Sequence, residues 1–85
     1  MLIGSAFAKK RYEKYKNIVS WDHHSQYKTR DIWRAYIMRT ASGEPKLIGL
    51  YRVECHGHTI VGTTLDEIRT TYSEYLMFGA PEAIE

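Results

Sequence analysis

Leu47-Ile48-Gly49-Leu50-Tyr51-Arg52-Val53-Glu54-Cys55-His56-Gly57-His58-Thr59-Ile60-Val61 carries the strand pattern of this chain most openly. Tyr51 and Val53 alternate with Arg52 and Glu54, as in a strand with one buried face. His56-Gly57 then interrupts the pattern as a two-residue turn, because the glycine supplies the positive φ that a primed hairpin turn needs. That turn predicts Val53 opposite Ile60 on the face shared with Tyr51, and Arg52 opposite Val61 on the other face.

Working upstream, Ala41-Ser42-Gly43-Glu44-Pro45-Lys46 is a turn cluster, so the apolar run inside Asp31–Thr40 reads as a preceding strand. Ile32-Trp33-Arg34-Ala35-Tyr36-Ile37-Met38 also suits a helix by composition, and the neighbouring strand decides the reading. A six-residue turn leaves the register open: either Trp33, Ala35 and Ile37 or Arg34 and Tyr36 share the face of Tyr51. Trp21-Asp22-His23-His24-Ser25-Gln26 has no periodicity and reads as a loop. Before it, Ala8, Tyr12, Tyr15 and Val19 recur at helical spacing behind Ser5, the expected N-cap.

Downstream, Thr64-Leu65-Asp66-Glu67 is a capping box, followed by the apolar stripe Leu65, Ile68, Tyr72, Tyr75 and Leu76. The helix should stop near Gly79, with Pro81 beyond it and Glu82 to Glu85 as a frayed acidic tail. The expected fold is thus α+β in a single domain spanning 1–85, ordered over about 5–79. Its order is a helix, a three-stranded antiparallel meander and a C-terminal helix, with the latter covering one sheet face.

Composition agrees with one small domain: 85 residues, 44% apolar and 26% charged. The lone cysteine, Cys55, excludes an internal disulfide and fits a reducing compartment. Met1–Ala8 is apolar but short, has no basic segment before it and runs into Lys9-Lys10-Arg11, so it does not read as a secretory signal. No stretch approaches the roughly 18 apolar residues of a membrane span. The expectation is a cytoplasmic protein without membrane contact.

The net charge of +2 hides a split. Residues 1–40 hold nine Lys/Arg against three acids, a net of +6, and residues 41–85 hold three against seven, a net of −4. Within the basic half, Lys9-Lys10-Arg11-Tyr12-Glu13-Lys14-Tyr15-Lys16 interleaves cations with tyrosines, which can grip phosphates and stack on bases or pack inward. Lys9, Lys10, Arg11, Lys14, Lys16, Lys28, Arg30 and Arg34 are the candidate nucleic-acid contacts, and Arg39 would extend them. Trp21, Trp33, Tyr36 and Phe78 are candidate protein contacts, since eleven aromatic residues exceed what one thin core buries.

Catalytic and metal readings are weaker. Cys55-His56-Gly57-His58 has a Cys-x-x-His spacing, but adjacent His23-His24 cannot easily converge with it on one ion, so no metal or cofactor is expected. Cys55 lacks a thiolate stabiliser, Asp66 and Glu67 are accounted for by capping, and no phosphate-cradling glycine loop is present. No catalytic residue is expected, and no enzyme.

The order of helix, three strands and helix resembles the double-stranded RNA-binding domain, with His56-Gly57 at that family's turn before the last strand. That family opens its final helix with a lysine-rich segment. Here Thr63-Thr64-Leu65-Asp66-Glu67-Ile68-Arg69 stands at those positions, so the resemblance implies architecture alone and transfers no binding residue.

The leading expectation is a non-enzymatic module that contacts nucleic acid or a nucleoprotein complex through its basic half. The alternative is a protein-binding adaptor or inhibitor, such as a phage or mobile-element protein that blocks a host complex. A metal-stabilised module or small hydrolase is third. Opposite charges at the two ends suit a homodimer or a monomer that neutralises them internally.

Overall fold

The computed structural model describes residues 1–38 and 43–79. Seven elements follow in order: β1 (Leu2–Ile3), α1 (Ala6–Tyr15), β2 (Ser20–Tyr27), β3 (Arg30–Met38), β4 (Pro45–Cys55), β5 (His58–Gly62) and α2 (Leu65–Phe78). The strands form one mixed sheet in the order β1-β5-β4-β3-β2, with β1 parallel to β5 and all other pairs antiparallel. The domain is α+β as expected, but the sheet has five strands where the sequence predicted three.

The central hairpin is the one the sequence announces. Val53 pairs with Ile60 and Arg52 with Val61, and His56 and Gly57 turn the chain with φ of 51° and 80°. Two further strands escaped the pattern for identifiable reasons. β1 is only two residues long, too short for any periodicity, yet it extends the ordered core ahead of Ser5. β2 was expected to be a loop. Its inward residues serve opposite faces: Trp21 packs against the α1 side and Tyr27 against the α2 side, and a register shift between His23 and Ser25 effects the crossover. A strand whose buried face changes midway shows no period of two. The β2–β3 turn, Lys28-Thr29, is also silent, because both residues take positive φ without a glycine or asparagine.

The helices lie on opposite faces of the sheet, giving three layers. Ile68 and Tyr72 of α2 bury against Ile3, Ile32, Val53, Cys55 and Ile60. Ala8 of α1 buries against Ala35, Leu50 and Val61, flanked by Tyr12, Val19, Trp21 and Ile48. Consecutive residues Ile60 and Val61, both fully buried, therefore serve different helices. Of the two registers left open for the first long strand, the structure has Arg34 opposite Tyr51 and Trp33 opposite Arg52. Ile32, not the Trp33 set, lies beneath α2, and Ala35 lies beneath α1.

Both helix starts follow their caps. The Ala8 amide donates to Ser5 Oγ at 3.1 Å, and the Glu67 amide to Thr64 Oγ1 at 3.0 Å. The Glu67 carboxylate accepts from the Thr63 amide at 3.0 Å and from Ser5 Oγ at 3.3 Å, tying the two helix N-termini together. α1 stops at Tyr15, so Val19 joins the core from beyond the helix rather than from its stripe. α2 stops at Gly79 with φ of 82°, as its sequence predicts. Gly62 permits α2 to begin so close to the sheet, since a Cβ there would stand 2.7 Å from the Ile68 amide nitrogen. Arg39 and the proposed acidic tail after Gly79 lie outside the described residues. No helix is long and apolar enough to cross a membrane among the described residues.

Candidate functional site

Because Ala8 and Tyr12 face the sheet, the helical repeat turns Lys9, Lys10 and Lys14 outward. No acidic side chain among the described residues pairs with these three lysines. Lys16 is different: its Nζ lies 2.9 Å from Glu13, whose hydrogen bond raises the Lys16 pKa above its ordinary value.

Arg11 is held inside the fold. Its Nη1 donates to the carbonyls of Ile48 at 3.1 Å and Gly49 at 2.9 Å, and its guanidinium lies 4.7 Å from the Phe7 ring centroid. Gly49 takes the positive φ of 66° that this part of β4 needs, and its missing Cβ leaves the guanidinium room, since a Cβ there would stand 3.0 Å from Arg11 Nη1. Arg11 thus fastens α1 to β4 while its charge still faces the helix surface.

Phe7, Lys10, Arg11, Lys14 and Tyr15 line a shallow depression of about 340 Å³. Arg11 and Tyr15 also line a neighbouring depression of about 400 Å³, bounded by Ile18, Ile37 and Lys46 between α1 and the β3–β4 arm. The two form one cationic groove floored by rings and aliphatic side chains. Sequence reasoning missed Phe7, Ile18 and Lys46. Phe7 left a signal: it sits off the Ala8/Tyr12/Tyr15 stripe, where an aromatic residue has no core to enter. Lys46, read as part of a turn, left none.

The remaining candidate cations do not join this groove. Lys28 stands in the β2–β3 turn and Arg30 follows it, on the α2 side, where Tyr72 Oη donates to the Lys28 carbonyl at 3.4 Å and Tyr27 Oη meets Ser73 Oγ at 3.2 Å. Arg34 reaches across to Asp22, with Nη2 to Oδ2 at 2.9 Å, and this hydrogen bond holds the Asp22 carboxyl below its ordinary pKa.

The four aromatic candidates are equally dispersed. Trp21 is half-buried, 4.5 Å from the Arg52 guanidinium and 6.3 Å from the Tyr12 ring. Trp33 meets His23 edge-on at 5.5 Å, on the same side of the sheet. Tyr36 shares a depression of about 290 Å³ with Asp22, Arg34 and Leu47 on the other side. Phe78, 66% exposed, ends α2 beside a depression of about 430 Å³ that Ile3, Gly4 and Tyr75 also line.

At the β4–β5 turn, Cys55 Sγ lies 3.3 Å from His56 Nδ1, which in turn lies 3.1 Å from Tyr75 Oη. Cys55 is buried, and among the described residues no three metal-ligating side chains converge. His56 Nδ1 is engaged by the Tyr75 hydroxyl, and His23 and His24 belong to β2, with β3 between them and β4.

No family model, curated protein or solved structure matches the chain.

Proposed function

We propose that this domain is a non-enzymatic binding module whose α1 surface engages an anionic partner, a nucleic acid or the nucleic-acid part of a nucleoprotein. The observation that carries this reading is the groove on α1, where Lys10 and Lys14 have no acidic partner among the described residues and stand beside the rings of Phe7 and Tyr15. Clustered free cations release counterions from a phosphate backbone on binding, and neighbouring rings offer contact area that a purely solvating lysine face would not need.

The test is anisotropy of labelled DNA and RNA titrated with the domain at low and near-physiological salt. Replacing Lys9, Lys10 and Lys14 together by glutamine should weaken binding at least tenfold and flatten its salt dependence, with the urea midpoint unchanged. Unaltered binding by this variant would remove α1 from the interface.

A second reading has its own observation. Leu76, Met77 and Phe78 expose an apolar end of α2 beside the depression lined by Ile3 and Tyr75, which suits a protein partner for an adaptor or inhibitor. Such an interface would persist at high salt, whereas phosphate contacts would not.

A further inference from the structure

The groove on α1 holds rings as well as charge, and exposed rings meet duplexes and single strands differently. Phe7 is 64% and Ile18 62% exposed, and both border depressions that meet at Arg11 and Tyr15. One side of the Phe7 ring carries the Arg11 guanidinium, which is itself locked to β4, so the ring is braced. Lys14 Nζ lies over one face of the Tyr15 ring, 5.3 Å from its centroid, so the second ring, like the first, carries a cation on one side. From Phe7 to Tyr15 the helix rises about 12 Å, which matches roughly four nucleotides at the ~3.4 Å spacing of a stacked strand.

A duplex keeps its base faces inside its own stack and would set charged phosphates against Phe7 and Ile18, at a desolvation cost. A single strand presents base faces to rings and phosphates to lysines. An acidic peptide would satisfy the lysines and leave the rings without planar partners.

We infer that the α1 groove takes single-stranded nucleic acid, with bases stacked on Phe7 and Tyr15 and the backbone running past Lys10, Lys14 and Lys46. This rests on the reading of α1 as the anion-binding surface. Nothing on the groove selects the sugar, so DNA and RNA strands are both probes.

The experiment titrates the full chain into labelled single strands of about fifteen nucleotides, DNA and RNA, and into the matching duplexes, with a glutamate-rich peptide as competitor. Single strands of either sugar should bind about tenfold more tightly than duplexes. Phe7→Ala should weaken single strands about tenfold and leave duplexes unchanged, and Phe7→Trp should restore the loss. Phe7 is exposed, so an unchanged urea midpoint will separate this effect from unfolding.

Equal affinity for duplex and single strand, with Phe7→Ala silent, would overturn the inference while leaving phosphate binding by α1 in place. No binding to any strand would overturn both. Displacement of the strand by the peptide at matched charge would assign the groove to an acidic protein and overturn the inference as well.

Discussion

Arg11 illustrates how a residue's neighbours decide its role. In the sequence it is one more cation in a basic run, indistinguishable from Lys10. In the fold a single nitrogen, Nη1, donates to two β4 carbonyls, those of Ile48 and Gly49, where the β3–β4 register shifts. Hydrogen bonds to a charged donor are worth more than neutral ones, and leaving the carbonyls without it adds to the loss. Arg11→Gln should therefore destabilise the domain by about 1–3 kcal/mol in urea unfolding, whereas Lys10→Gln should change stability by less than about 0.5 kcal/mol. Equal, negligible effects would mean that Arg11 is only a surface cation. The lysines' exposure was legible in the sequence, because helical spacing assigns Ala8 and Tyr12 to the core. Arg11's role was not, because its partners are backbone atoms nearly forty positions away.

At the scale of elements, legibility followed periodicity. The β4–β5 hairpin and α2 each combine an apolar repeat with a specific turn or cap, and each stands where the sequence puts it. β2 does not, because a polar edge strand with a mid-strand crossover of its buried face looks like a loop. What holds β2 is partly electrostatic: Asp22 sits directly opposite Arg34 and forms a two-point pair with its guanidinium. The Asp22 carboxyl is depressed chiefly by that hydrogen bond, so the sign follows. The folded state favours the ionised form, so the pair's stabilisation is present above the unfolded carboxylate pKa of about 4 and is lost as pH falls through the lower folded value. Asp22→Asn should thus lower the urea midpoint at about pH 7 and leave it close to wild type near pH 2. Since both side chains are partly exposed, the effect is small and screened by salt. A midpoint difference that persists unchanged at low pH would show that Asp22 acts through packing and not through its charge.

Taken whole, the domain carries opposite charge on its two helices. The α1 stretch Ala6–Tyr15 carries four cations and one acid, and the α2 stretch Leu65–Phe78 carries three acids and one arginine, with the sheet between them. Among the described residues no ion pair joins the two helices, so the charge split seen along the sequence is not neutralised by their contact. What the sequence could not reveal was that the split crosses the sheet, because Lys28 and Arg30 belong to the basic half of the chain yet stand on the α2 side, beside Tyr72. A sequence-based interface would count them with Lys9, Lys10 and Lys14. The layered interface would not, since a ligand lying along α1 faces away from them. Lys28→Gln with Arg30→Gln should then leave nucleic-acid affinity within about twofold of wild type and the slope of log K against log salt unchanged. Each α1 lysine that contacts a phosphate should reduce that slope by about 1 when replaced. A loss of affinity in the Lys28/Arg30 variant equal to that of the α1 variants would mean that the partner wraps the β2 edge and touches both layers.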